Sequence, residues 1–120
     1  MKYRRLGRSA LKVSELCLGT MNFGPRTSEQ ESFAILNEAI AMGINFIDTA
    51  NQYGGHLGVG ATESILGKWF AEDPARRDRV ILATKVYEPM SVDINDRGQA
   101  VNQLLHRKGR HHTAEVLLLQ

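Results

Sequence analysis

The chain has 120 residues, of which 42% are hydrophobic and 23% charged, as is typical of one small globular domain. Fifteen Lys and Arg against thirteen Asp and Glu give a net charge of +2, too close to balance to indicate a nucleic-acid partner. No apolar run reaches the roughly 18 residues of a membrane span, and no apolar stretch typical of a signal peptide follows the basic N-terminus, so we expect a cytoplasmic protein.

The N-terminal segment predicts a β-hairpin followed by one strand. Gly7 and Ser9 supply turn chemistry between two short arms, and the strand is expected over residues 16–19. Cys17 is the only cysteine, which excludes an intrachain disulfide and fits a reducing compartment. We predict that it is a small core residue and not a nucleophile.

The first helix has clear start and stop signals. Ser28 followed by Glu31 forms a capping box, and apolar residues then recur at helical spacing as far as Ile40. Gly43 stands at the position where glycine commonly ends a helix. The apolar run 44–47 follows at once and suits a buried parallel strand.

A glycine-rich loop, a second helix and a third strand come next. Thr62 is predicted to cap the second helix, which ends before Pro74. Residues 78–86 then read as a strand. This alternation predicts an α/β fold with a parallel sheet and right-handed crossovers. The loop glycines are not in the G-x-G-x-x-G register after a strand, so a dinucleotide fingerprint is not expected there.

The C-terminal segment has a thinner apolar pattern than the rest of the chain. We therefore divide the sequence into residues 1–98 and an atypical tail, residues 99–120, with a short helix predicted at 101–105 and a strand at 116–119. The histidines lack the spacing of metal ligands, and no metal site is predicted. They are His56, His106, His111 and His112.

Polar side chains follow the predicted strands at the points where they end. Asp48 closes one strand, Tyr53 lies in the loop after it, and Lys85 closes the next strand. Because neighbouring strands lie about 4.8 Å apart, these three side chains could converge at one edge of the sheet. Singly, each has an ordinary explanation: Asp48 could cap a turn, Tyr53 could pack as an aromatic, and Lys85 could be a solvated strand end.

Together the three side chains have the composition of a proton donor. A tyrosine hydroxyl, with an ordinary pKa of about 10, is a poor acid at neutral pH, and a nearby ammonium favours its ionised form. An aspartate would hold that ammonium charged and in place. Such a group suits protonation of the alkoxide that forms when a carbonyl is reduced, and the hydride would have to come from a nicotinamide cofactor.

Four motifs in this order carry a family resemblance: residues 3–24, FIDTANQYGG, GATESILGKWF and VILATKV. Over residues 1–98 the sequence resembles the aldo-keto reductases, and among them bacterial members similar to potassium-channel β subunits. The resemblance implies a (β/α)8 TIM barrel, of which only the first three or four βα units are present here, after an N-terminal hairpin.

The resemblance also implies a function, the NADPH-dependent reduction of aldehydes or ketones to alcohols. Tyr53 would be the general acid, Lys85 would make it a stronger acid, and Asp48 would hold Lys85. The residues implied to bind the cofactor are Gly19, Thr20, Met21 and Asp48, and those implied to border the small-molecule carbonyl substrate are Tyr53 and Tyr87. The choice between NADPH and NADH stays open, because the phosphate-reading residues of the family come from later strands.

Two departures from the family pattern qualify this expectation. The family's histidine should close the fourth strand, and neither register of the final EVLLLQ assigns one; in one register Gln120 takes its place. A TIM barrel also typically needs about 250 residues. We therefore keep a second hypothesis: a catalytically incompetent, truncated half barrel, or a non-catalytic regulatory fragment, that self-associates through its open face.

Overall fold

The chain alternates short strands and helices along its first 85 residues. The structure is a computed structural model, and it describes residues 1–85 and the backbone of residues 117–118. The strands are β1 (Tyr3–Arg5), β2 (Lys12–Ser14), β3 (Leu18–Gly19), β4 (Phe46–Asp48), β5 (Ile81–Thr84) and β6 (Leu117–Leu118). The helices are α1 (Glu29–Ala41), α2 (Ala61–Glu72) and α3 (Ala75–Arg79), with a single 3₁₀ turn at Gly55–Leu57.

The strands form two sheets. β1 and β2 pair antiparallel as the predicted hairpin, while the second sheet has the order β3-β4-β5-β6. β3, β4 and β5 run parallel with helices between them, so the predicted α/β architecture is confirmed over these units. β6 falls within the predicted strand 116–119 but pairs antiparallel with β5, whereas a fourth βα unit would run parallel. The predicted helix at 101–105 and the boundary at residue 98 lie outside the described residues.

The capping signals of α1 act as the sequence predicts. Ser28 accepts a hydrogen bond from the Glu31 backbone N–H through its side-chain oxygen, and its own backbone N–H donates to the Glu31 carboxylate at 2.9 Å. Gly43 follows the helix with φ +85°, a left-handed conformation that side chains rarely adopt. Its carbonyl accepts a hydrogen bond from the Tyr3 hydroxyl at 2.8 Å, which ties the hairpin to the end of the helix.

The prediction that Thr62 caps α2 is wrong. The N-cap is Gly60, with φ +83°, and Thr62 lies inside the first turn of the helix. Thr62 is fully buried, and its hydroxyl donates to the Phe23 carbonyl at 2.8 Å. The glycine reverses the chain two residues earlier than a threonine cap would, so the threonine side chain is left to bond the loop after β3.

The hydrophobic core lies between the parallel sheet and helices α1 and α2. Its fully buried centre includes Leu36, Ile47, Leu66 and Trp69, none more than 2% exposed. Burial of each such side chain stabilises the fold by roughly 1.5–3 kcal/mol. The indole N–H of Trp69 donates to the Asn37 side-chain oxygen at 2.9 Å, so its polar atom is also satisfied.

Cys17 is exposed, so the prediction of a core position is wrong. The next residue, Leu18, pairs with the buried Ile47 and therefore faces the helices. Because side chains alternate along a strand, Cys17 lies on the opposite face of the sheet. An apolar run in the sequence does not by itself show which of its residues faces the helices.

Within the described ranges, no helix is long and apolar enough to cross a membrane.

Candidate functional site

The candidate site lies at the carboxyl ends of β4 and β5. Asp48 is the last residue of β4 and pairs in register with Ala83 of β5. Lys85 follows β5 directly, two residues after Ala83, so the period of the strand places it on the same face as Asp48. The parallel direction of the two strands is what brings residues 48 and 85, far apart in sequence, to one edge.

The structure brings the side chains of Asp48, Tyr53 and Lys85 together. The Lys85 ammonium donates to the Asp48 carboxylate at 2.5 Å and to the Tyr53 hydroxyl oxygen at 3.2 Å. Its third hydrogen bond goes to the Thr49 carbonyl at 3.1 Å. An ammonium has three donors, so this set of acceptors uses all of them and fixes the direction of each.

The surroundings of Lys85 stabilise its charged form. Partial burial lowers the pKa of the ammonium, but the hydrogen bonds to Asp48 and Tyr53 and the negative charge of Asp48 outweigh that effect, and the pKa is raised overall. The lysine side chain is 39% exposed and the aspartate 35%, so solvent screens this pair in part. Lys85 is therefore a fixed cation at neutral pH.

The backbone of Asp48 is held by Thr20. The Asp48 carbonyl accepts the Thr20 backbone N–H at 3.0 Å and the Thr20 hydroxyl at 2.9 Å. Thr20 is fully buried, whereas its neighbours Gly19 and Met21 are exposed, Met21 by 61%. Of these three residues with an expected cofactor role, only Gly19 and Met21 present surface to a ligand.

Tyr53 stands at the start of the glycine-rich loop between β4 and α2. Its backbone N–H donates to the Ala50 carbonyl at 3.1 Å. The next residue, Gly54, has no room for a side chain, since a Cβ atom there would lie 1.7 Å from the Gly58 carbonyl oxygen. The close approach of Gly54 and Gly58 folds the loop back on itself just beyond Tyr53. Tyr87, the other predicted substrate residue, lies outside the described residues.

The Cys17 thiol lies close enough to Asp48 and Lys85 for their charges to shift its pKa. Desolvation of the thiol and the negative charge of Asp48 raise its pKa, against the opposing effect of Lys85. A protonated thiol is less nucleophilic than a thiolate, and that Cys17 is not a nucleophile stays a prediction. Among the residues with described positions, no group of three or more His, Cys, Asp and Glu side chains could hold a metal ion.

Sequence reasoning missed one contributor to the site, Thr49, and one residue that supports the strands carrying it, Asn45. Thr49 acts through its carbonyl, which any residue type would provide, so the sequence carries no signal for it. Asn45 accepts the Ser14 backbone N–H at 2.7 Å and donates to the Lys12 carbonyl at 3.0 Å, which fastens the hairpin to β4. A polar residue inside the apolar run 44–47 was the available signal.

Comparison with known proteins gives the class of protein. The Aldo/keto reductase family model matches residues 15–116. The chain is 54% identical to the uncharacterized oxidoreductase YrpG of Bacillus subtilis over 93% of its own length and 34% of that protein's. It is 41% identical to Protein tas of Escherichia coli, over 90% of this chain and 31% of the relative. Norsolorinic acid reductase B of Dothistroma septosporum is 35% identical, over 87% and 29% of the two chains.

The chain therefore belongs to the aldo-keto reductase family. It spans about a third of the length of each of these three relatives.

Proposed function

We propose that the chain forms the N-terminal part of an NADPH-dependent reductase of aldehydes or ketones, with Tyr53 as the general acid. The observation that carries the proposal is the position of Lys85, whose ammonium lies 2.5 Å from the Asp48 carboxylate and 3.2 Å from the Tyr53 hydroxyl. Family membership supports the reaction type, and two of the relatives are named as an oxidoreductase and a reductase.

The hydrogen-bond directions fit the role of an acid. Lys85 donates to the Tyr53 oxygen, so it occupies a lone pair and leaves the phenolic proton free to point elsewhere. A cation beside that oxygen stabilises the phenolate that remains once the proton has been given away. Asp48 keeps the ammonium in place. Tyr53 would thus protonate the oxygen of a bound carbonyl as negative charge develops on it.

The residues around Asp48 fit the nicotinamide end of a cofactor. Gly19 pairs with Asp48 across β3 and β4, is exposed, and has no atom within 4 Å of the place a Cβ would take. A planar ring could approach this edge closely beside the exposed Met21, and Asp48 would lie near the ribose of the cofactor. When bound, the nicotinamide supplies the hydride that no side chain can provide.

The test is a comparison of the wild-type chain with Tyr53→Phe. NADPH binding is followed by cofactor fluorescence, and turnover by NADPH absorbance after an activated aromatic aldehyde is added. We expect Tyr53→Phe to bind NADPH nearly as well as wild type and to lose turnover by roughly 10²–10⁴-fold. If the variant retained most of the activity, Tyr53 would not be the general acid.

A second candidate function is that of a non-catalytic, self-associating protein. β3 is one of the two edge strands of its sheet within the described residues, and Leu16 and Met21 beside it are 59% and 61% exposed. An open edge flanked by apolar side chains favours pairing with another chain. A purified chain that neither binds NADPH nor turns it over, and elutes as a dimer in size-exclusion chromatography, would favour this candidate over the reductase.

A further inference from the structure

One peptide group connects the two hydrogen-bond acceptors that Lys85 has besides the Tyr53 hydroxyl. This is the peptide between Asp48 and Thr49. On one side of it the Asp48 carboxylate accepts from the Lys85 ammonium at 2.5 Å, and on the other the Thr49 carbonyl accepts from it at 3.1 Å. A displacement of this peptide, which joins the Cα atoms of both residues, would move both acceptors, and therefore the ammonium that contacts Tyr53.

The same peptide is held from both neighbouring strands. Its N–H, from Thr49, donates to the Ala83 carbonyl at 2.8 Å. Its carbonyl, from Asp48, accepts both the backbone N–H and the hydroxyl of Thr20, at 3.0 and 2.9 Å. A carbonyl oxygen has two lone pairs, so Thr20 alone supplies a full set of donors. The Thr20 hydroxyl is the part of this arrangement that a substitution can remove.

We propose that Thr20 is a positioning residue for Lys85, which acts by fixing the Asp48–Thr49 peptide through its buried hydroxyl. The inference rests on the proposed function only where it takes Lys85 to support Tyr53 as the general acid. Thr20 is fully buried and its hydroxyl is committed to the Asp48 carbonyl, so it reaches the reaction through the peptide and not by touching a ligand. Small misplacements of a catalytic group can lower the rate by as much as about 10²-fold.

The experiment follows the Lys85 ammonium directly. The full chain is labelled with lysine carrying ¹³C at Cε, and the Lys85 signal is assigned by its loss in Lys85→Arg. Its titration midpoint is then compared in wild type, Thr20→Val and Thr20→Ser. We expect Thr20→Val, which keeps shape but loses the hydroxyl, to lower the midpoint by about half a pH unit as Asp48 drifts from the ammonium. Thr20→Ser, which restores the hydroxyl, should return it to the wild-type value.

Thr62→Val is the matched control. Thr62 is an equally buried threonine whose hydroxyl bonds the Phe23 carbonyl at 2.8 Å, away from the Asp48 peptide. It reports what the loss of a buried hydroxyl does to the fold in general, and it should leave the Lys85 midpoint at the wild-type value. If Thr20→Val does not fold, Thr20→Ala is compared with Thr62→Ala, since both substitutions remove the hydroxyl together with the γ-methyl group.

Two results would overturn the proposal: a wild-type Lys85 midpoint in a folded Thr20 variant that lacks the hydroxyl, or an equal shift in Thr62→Val. Where the wild-type chain shows turnover, Thr20→Val should lower kcat about tenfold with little change in KM, and Thr20→Ser should restore it. A wild-type chain without turnover would count against the proposed function alone, because the titration of Lys85 does not depend on activity.

Discussion

Asn45 and Ser14 exchange two hydrogen bonds that fasten the N-terminal hairpin to the beginning of β4. The Ser14 backbone N–H donates to the Asn45 side-chain oxygen at 2.7 Å, and the Asn45 backbone N–H donates to the Ser14 hydroxyl oxygen at 3.2 Å. The Asn45 carbonyl also accepts the Ile81 N–H at 2.7 Å, which aligns β5. One residue thus connects the hairpin with both strands whose ends carry the candidate site.

Replacement of Asn45 by alanine should therefore destabilise the whole fold. It leaves the Ser14 N–H and the Lys12 carbonyl without the partners they have now, and we expect a loss of about 1–3 kcal/mol in the free energy of unfolding. Urea denaturation measures this loss. Arg4→Ala is the control, because it removes an exposed ion pair with Glu15 from the same hairpin and should cost no more than about 1 kcal/mol. Equal losses in the two variants would contradict the prediction.

Two glycine substitutions should have effects of opposite sign. Gly54→Ala places a Cβ 1.7 Å from a backbone oxygen that cannot move away cheaply, so we expect the Tyr53 loop to rearrange and any NADPH turnover to be lost. Gly67→Ala lies at an exposed position of α2 with no atom within 4 Å, and it should stabilise the chain by about 0.8–1 kcal/mol through helix propensity. Thermal unfolding and NADPH oxidation assays check both. A Gly54→Ala variant as stable and active as wild type would rule out this loop geometry.

The contribution of Lys85 to stability should disappear at alkaline pH. Its folded-state pKa is raised, so the charged form stabilises the fold fully below the ordinary lysine pKa of about 10.4, and this contribution is lost as the pH rises through the higher folded value. The difference in unfolding free energy between wild type and Lys85→Met should be level from about pH 8 to 10 and shrink above that range. Solvent screening limits it to about 1 kcal/mol or less. A difference that grows with rising pH would contradict the assignment.

Neighbouring residues on α1 should differ sharply in their tolerance of alanine. Leu36 is completely buried against the sheet, whereas Ile35 is 40% exposed. Leu36→Ala removes core contacts and leaves a cavity, with an expected loss of 2–5 kcal/mol. Ile35→Ala, one position away, should cost clearly less, because a large part of its side chain already contacts water. Denaturant midpoints of the two variants give the comparison, and similar midpoints would mean that α1 packs on another face.

The sequence predicted those parts of the fold that local signals determine. The capping box of Ser28 and Glu31 and the helix end at Gly43 depend only on neighbouring residues, so their pattern is enough to locate α1. The approach of Asp48 and Lys85 required only that two parallel strands end together. The catalytic roles of Asp48, Tyr53 and Lys85 stay predictions.

The errors concern residues whose environment is set by distant parts of the chain. Thr62 has the type expected of a helix cap, but the loop after β3 offers its hydroxyl a buried carbonyl, and Gly60 makes the turn instead. Cys17 belongs to an apolar run, yet the register of β3 with β4 turns it away from the helices. Neither the Phe23 carbonyl nor the strand register can be read from the residues around Thr62 or Cys17.

Trp69 is the chain's single tryptophan and lies in the core, 1% exposed, with the Arg76 guanidinium 4.6 Å from the centre of its ring. Its emission, recorded before any nicotinamide is added, therefore reports on the packing between helices and sheet. Tryptophan emission without cofactor, followed by an assay of NADPH oxidation on the same preparation, can thus distinguish a variant whose core is disrupted from one that has lost only its activity.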